Sequence, residues 1–268
     1  MLSKTEAVVL KSMRYRDTSK IVTFYTNEFG KIRGIAKGAR TNKSKFGAAL
    51  EPLSHVSIIL YKKEHRDLHL LSQSDLLNPH KGILLSLERL RAGLSIIELV
   101  NQVTPGEERN GQLFSLLKEM LDAVEAEEKE PLKYFFAFAL RLSALFGFRP
   151  NLGSCRSCGR ALSGFRTDER VAFQIARGAV ICPLCLRASN SGRTDDFVQP
   201  VPAELWESAS MDVGKLRHLE DLLEKPLGDI RTLRLPESVS ASIDETLRSY
   251  LRYHFDAVRP IRSAALAL

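Results

Sequence analysis

The chain has 268 residues, a mass of 30.0 kDa and a hydrophobic fraction of 44%, which is enough for one large domain or two to three small ones with real cores. Wholesale disorder is excluded, and no apolar run is long enough to cross a bilayer, so the expectation is a soluble cytoplasmic protein. The formal charge of +7 is uneven: residues 1–80 hold fourteen Lys and Arg against seven Asp and Glu, while the remaining 188 residues balance at 25 each. A polyanion partner for the N-terminal third follows, with nucleic acid ahead of membrane because no basic amphipathic helix is visible there.

In chain order, "EAVVLKSMRY" (6–15), "KIVTFYT" (20–26) and "KIRGIA" (31–36) are rich in β-branched and aromatic residues. The turn signals "RDTS" and "NEFG" separate them. "HVSIILYK" (55–62) and "DLHLLSQSD" (67–75) follow, joined by "KEHR". Five short strands without a long helical pattern predict a small barrel, an OB-fold first and an SH3-like barrel second. From residue 81 the period changes: Ile83, Leu87, Leu90, Leu94 and Ile97 make one helical stripe, and Leu113 to Val124 make a second after the loop "TPGEERNG". "LKYFFAFALRLSALFGF" (132–148) is apolar nearly all round and predicts the buried centre of a bundle; its Lys133 and Arg141 argue against a membrane span.

Residues 149–200 break this pattern and hold all four cysteines. Helical signals return in "AELWESA" after Pro202, in "VGKLRHLEDLLEK" (213–225) and in "SIDETLRSYLRYHFD" (242–256); the tail "RPIRSAALAL" either docks or frays. The expectation is therefore an α+β multidomain protein. Its parts are an OB-fold β-barrel over 1–80, a helical domain over 81–150 and 200–268, and an inserted zinc ribbon over 151–199.

Cys155-x-x-Cys158 and Cys182-x-x-Cys185 are separated by 23 residues. Each two-residue spacer lets two thiolates reach one metal, and two pairs complete the tetrahedral sulfur set that Zn²⁺ favours. One structural zinc per chain is expected, with "VAFQIARGAVI" as a small hairpin between the knuckles. An iron–sulfur cluster, a redox pair and buried reduced thiols are the alternatives. Four protein ligands leave no open coordination position, so hydrolysis at the metal is not expected.

No phosphate-binding P-loop, no G-x-S-x-G, no H-E-x-x-H and no G-x-G-x-x-G is present, and His65 and His69 fall around a hairpin where exposure to solvent is the expectation. Nothing invites catalysis. The functional signal is instead "GKIRGIAKGARTNKSKFG" (30–47), with Lys31, Arg33, Lys37, Arg40, Lys43 and Lys45 and no acidic residue. Arg14 and Arg16 form a second basic cluster with Lys20. On a small barrel these side chains would track phosphates, and Tyr15, Tyr25, Phe29, Phe46 and Tyr61 are the aromatic positions for base stacking or core filling.

The stretch from Glu6 to Arg40 resembles the start of the bacterial RecO DNA-repair proteins, through Arg14, Asp17, Ile21, "FYTNEFG" and the Lys37-Gly38-Ala39-Arg40 loop. The likeness continues through "LRLSALFGFRPNLGSCRSCG" into the second knuckle, in the order of that family. It implies a recombination mediator rather than an enzyme. Such a protein binds single- and double-stranded DNA, anneals complementary strands and works with RecR. It helps RecA displace the single-strand-binding protein, whose acidic C-terminal tail it contacts, with RecF in the same pathway. The implied location is the bacterial cytoplasm at the nucleoid. The family's knuckles fall on Cys155, Cys158, Cys182 and Cys185. The rival reading is a zinc-ribbon RNA-binding factor of transcription or translation.

Overall fold

A computed structural model describes residues 2–62, 66–190 and 208–259. The chain forms two compact units. One runs from the N-terminus to Phe135 and takes the chain back from Ala257; the other spans Phe136–Asp256.

The first unit begins with five strands: β1 (Leu2–Tyr15), β2 (Ser19–Thr26), β3 (Gly30–Ala36), β4 (His55–Tyr61) and β5 (His69–Asn78). They close in the order β1-β2-β3-β5-β4, with β4 returning to β1. All pairings are antiparallel except β3 with β5, where Gly34 faces His69 and Ile35 faces Leu70. A five-stranded barrel with this crossover has the OB-type arrangement. Period-2 alternation builds it: Val9, Val22, Phe24, Ile32, Val56, Ile58, Leu60 and Leu71 point inward and are buried. β1 serves two neighbours, and its register shifts between Val9 and Lys11, the irregularity that lets one long strand bend around the barrel. A short 3₁₀ turn, Gly47–Leu50, follows the basic loop and sinks Phe46, Ala49 and Leu50 into the core.

The stripe expected from residue 81 forms two helices, α1 (Lys81–Leu84) and α2 (Leu87–Val103). The break falls where the Ser86 side chain caps α2 by accepting from the Arg89 N–H. α3 (Gly111–Ala126) is capped in the same way by Asn110, whose side chain accepts from the Leu113 N–H at 2.9 Å. Buried His80 ties strands to helices, with Nδ1 2.8 Å from the Leu53 carbonyl and Nε2 3.0 Å from Asp122.

Gly30 opens β3 with φ +66°, and a Cβ there would lie 2.0 Å from the Glu108 carbonyl oxygen of the α2–α3 loop. Left-handed backbone costs a non-glycine residue about 1–3 kcal/mol and overpacking a further 1–3 kcal/mol. Gly30→Ala is therefore expected to lower the stability of this unit by about 2–6 kcal/mol in urea melts. A neutral result would mean that the loop does not pack on the strand.

α4 (Leu132–Leu145) crosses from one unit to the other and ends three residues short of the expected Phe148, at a left-handed Gly147. Tyr134 to Leu140 and Leu142 are buried, as an all-round apolar helix requires. In the second unit, β6 (Asn151–Cys155), β7 (Arg170–Gln174), β8 (Ala179–Ile181) and β9 (Ser208–Asp212) make a sheet in the order β6-β8-β7-β9. β7 and β8 are the hairpin expected within "VAFQIARGAVI".

The helix expected over "AELWESA" is not seen where the chain is described. Residues 203–207 lie outside the described residues, and Ser208 and Ala209 open β9, which pairs with β7. α5 (Pro183–Asn190), α6 (Val213–Glu224), α7 (Leu227–Thr232) and α8 (Glu237–His254) complete the unit. α8 starts five residues before its expected beginning, just after Pro236, because proline is well placed at a helix entrance. Residues 191–207 and those beyond 259 lie outside the described residues. No helix among the described residues is long and apolar enough to cross a membrane.

Candidate functional site

The cysteines converge in the second unit. Cys155 ends β6, Cys158 lies in the following turn, Cys182 follows β8 directly, and Cys185 sits in the first turn of α5. The first knuckle closes because the Gly159 N–H donates to the Cys155 carbonyl at 2.8 Å, with Gly159 at φ +70°. The Arg156 N–H donates to Val180 at 2.8 Å, which locks this turn to β8 and so to the second knuckle. Backbone amides also serve the sulfurs: Cys182 N–H reaches Cys155 Sγ at 3.3 Å, and Cys185 N–H reaches Cys182 Sγ at 3.5 Å.

All four Sγ atoms lie within 4.8 Å of one another, and Cys158 and Cys182 are 3.8 Å apart. A single tetrahedral ion with sulfur at about 2.3 Å needs sulfur–sulfur edges of about 3.8 Å. Cys155, Cys182 and Cys185 are buried, and Cys158 is exposed. Burial pushes the Cys182 and Cys185 thiols up. Burial also opposes ionisation of Cys158, but the Arg160 N–H and the other thiols outweigh it and hold that group below its ordinary value. Buried Cys182 and Cys185 are poor thiolates on their own, and a dication beside them would favour their ionised form. The donor set therefore fits one bound metal ion.

On the barrel, seven of the eight expected DNA-contacting residues are exposed: Arg14, Arg16, Arg33, Lys37, Arg40, Lys43 and Lys45. Arg14 stands directly opposite Lys20 across β1–β2, and Lys20 is itself paired with Glu51 at 2.7 Å. Arg40 anchors its loop to the β1–β2 turn: its backbone N–H donates to Thr18 at 2.9 Å and its Nη1 to the Arg16 carbonyl at 3.1 Å. Arg16 takes φ +50° and lies over the Tyr15 ring. Both clusters thus meet at one end of the barrel.

Lys31 is placed differently. Its Nζ donates to the carbonyls of Asn101 and Thr104 at the C-terminal end of α2, and burial holds its pKa below the ordinary lysine value. It neutralises a helix terminus instead of facing solvent.

Among the aromatics, Tyr25 and Phe46 are core residues and Phe29 packs against the core; Tyr61 is exposed and Tyr15 half-exposed. His69, expected in solvent, is 1% exposed, while His65 lies outside the described residues. Sequence reading also passed over Lys11. Pairing of β1, β2 and β3 lines up Lys11, Thr23 and Arg33 in one row across the outer sheet face. That row was legible in principle, since three outward positions of neighbouring strands share a register. A cleft of about 410 Å³ lies along it, walled by Lys31, Asp67 and Glu107.

Comparison with known proteins agrees with this construction. The family described as Recombination protein O N terminal matches residues 1–80, and Recombination protein O C terminal matches residues 84–194. The DNA repair protein RecO of Chloroherpeton thalassium is 33% identical, covering 98% of this chain and 96% of its own length. Its counterpart in Chlorobium limicola is 31% identical (99% and 97%), and that of Alkaliphilus metalliredigens 30% identical (96% of each). Barrel, cysteine cluster and full-length similarity point the same way, and the chain belongs to the Recombination protein O family of DNA repair and recombination proteins.

Proposed function

We propose that the protein is a non-enzymatic recombination mediator. It binds single- and double-stranded DNA through the barrel, anneals complementary strands and, with RecR, helps load RecA on gaps coated by the single-strand-binding protein. The observation that carries this reading is the closed barrel whose outer face and β3–β4 loop gather exposed Arg14, Arg16, Arg33, Lys37, Arg40, Lys43 and Lys45, in a chain of this family. The acidic tail of the single-strand-binding protein is a further partner, with RecF and RecA engaged through the assembly, in the cytoplasm at the nucleoid.

The cysteine site holds one structural Zn²⁺ in this reading. Cys155, Cys158, Cys182 and Cys185 are its ligands, and a bound zinc would supply cross-linking rather than catalysis, since all four positions are taken by protein. A polynuclear iron–sulfur cluster would spread its cysteines over several iron atoms. The mutual closeness of all four Sγ atoms, within 4.8 Å of one another, favours a single ion.

On the barrel, each basic side chain that reaches a phosphate releases condensed counterions, and its contact with backbone carries little sequence information. Reduced repulsion between two strands held on one basic surface favours their pairing. With about five phosphates engaged, log affinity for single strands should fall against log salt with a slope of roughly −3.5.

Replacing both Lys37 and Arg40 by Glu is expected to weaken DNA binding and annealing by at least tenfold at moderate salt, about 1.4 kcal/mol. Melting and metal content should stay near wild type. The measurement is annealing of complementary strands, bare and coated with their binding protein, with RNA strands in parallel. Unchanged DNA affinity in the variant would remove this loop from the interface, and a preference for RNA would replace the DNA reading.

A further inference from the structure

The α2–α3 loop lies against the barrel and is held there by its backbone. The Glu108 carbonyl fills the space above Gly30, Lys31 donates to Asn101 and Thr104, and Arg109 Nε donates to the Asn27 carbonyl at 3.3 Å. From this fixed loop the Glu107 side chain reaches back over the barrel. Its Oε1 accepts from His69 Nε2 at 2.6 Å and its Oε2 from Lys62 Nζ at 2.6 Å. Burial opposes ionisation of Glu107, but Lys62 and His69 prevail and hold its carboxyl below the ordinary value. One carboxylate thus spans two donors, the fork that two non-bridging phosphate oxygens also make.

We propose that Lys62 and His69 form an anion site for a phosphodiester of the DNA backbone, and that the Glu107 carboxylate occupies this site in the protein alone. The inference rests on the DNA-binding reading above and names a contact within it.

Three observations carry it. First, Glu107 walls the cleft along the Lys11–Thr23–Arg33 row, so a strand crossing that row arrives at this carboxylate. Second, a surface that gathers Lys11 and Arg33 carries Asp67 and Glu107 at its edge, and the Glu107 charge repels a phosphate until that side chain turns away. Third, the two donors differ in what they tolerate. Lys62 is partly exposed and lies over the Phe29 ring, so water can serve it when Glu107 leaves. The His69 side chain is fully buried, and its Nδ1 has no hydrogen-bond partner among the described residues. Leaving Nε2–H unpaired as well is costly. Glu107 therefore departs only when another acceptor arrives, and the site exchanges anions without standing open. The pinned backbone confines the movement to one side chain.

The test uses the full chain and a 35-nucleotide oligo(dT), read by fluorescence anisotropy across a salt series. Glu107→Gln keeps the shape and removes the charge; it should tighten binding several-fold. Lys62→Gln should flatten the salt slope by about 0.7, the value for one phosphate on single strands. In the double variant the gain from Glu107→Gln should vanish. Wild-type binding with no gain in Glu107→Gln, or a gain that survives Lys62→Gln, overturns the anion site and leaves the DNA reading standing. Should Glu107→Gln not fold, an unchanged salt slope in Lys62→Gln is by itself enough to overturn it. Absence of wild-type binding to oligo(dT) overturns the DNA reading and this inference with it.

Discussion

Cys182→Ser should abolish stoichiometric metal binding and unravel the β6–β8 side of the second unit while the barrel still melts cooperatively. Cys182 is wholly buried at the end of β8, and its sulfur accepts the Cys185 N–H and faces Cys158. Losing it breaks the link between the two knuckles. Structural zinc contributes on the order of 10–16 kcal/mol in small peptides. Here Val171, Phe173, Ile175, Val180 and Met211 add a buried apolar set of their own, so part of the sheet survives metal loss. The loss should show as a metal content near zero by elemental analysis, against about one per chain in the wild type. Near-UV dichroism should fall, and a strong chelator should reproduce both effects. A fully folded wild-type protein that holds no metal and whose four thiols react quantitatively would end the zinc assignment.

The second large effect concerns a charge buried in the first unit. Lys133, in the first turn of α4, is 1% exposed; its Nζ lies 3.0 Å from Glu127 Oε2 and 3.8 Å from Glu130. Glu127 is buried too, and its Oε1 accepts from the Lys129 N–H at 3.1 Å. Removing one partner of a buried pair costs about 3–5 kcal/mol because the other charge is left uncompensated. Lys133→Met should therefore lower the urea midpoint sharply, and adding Glu127→Gln should recover most of the loss.

The pH dependence follows from the sign of the Glu127 shift. Burial raises its pKa, but the Lys129 N–H and the Lys133 ammonium outweigh it and hold the carboxyl below 4.5. A depressed carboxylate stabilises the fold above the unfolded value and loses that contribution as pH falls through the folded one. The wild type should weaken below about pH 4.5, while the penalty of Lys133→Met should shrink there, as protonation neutralises the orphaned carboxyl. A penalty that is flat between pH 3 and 7 would show that the pair is not the source.

Much of the barrel was legible because its cores alternate cleanly. Val22 and Phe24 on β2, and Val56, Ile58 and Leu60 on β4, announce two-residue periods between strong turn signals. The cysteine pairs were legible because metal geometry restricts spacing more tightly than any fold does. What escaped depends on partners distant in sequence. β9 is short and polar and becomes a strand only because β7 offers it an edge. Lys31 looked like its basic neighbours, since nothing local reveals that the end of α2 comes to meet it. His69 looked like a hairpin residue; a carboxylate 38 positions later explains its burial. Tyr25 and Phe46 were open between base stacking and core filling, and only the direction of each side chain shows them to be core.

Closure of the barrel also limits how this protein can be recognised. β1 is spent on both β2 and β4, and β3 meets β5 at Gly34–His69 and Ile35–Leu70, so among the described residues each barrel strand has a neighbour on both sides and little margin is left for a visiting peptide to add a strand. Anything that meets the barrel must read side chains and loops, which suits a flexible polyanion better than an extended peptide. The four-stranded sheet of the second unit is different. Among the described residues β6 and β9 each have one strand neighbour there, so backbone-mediated docking of a partner segment belongs to those two margins.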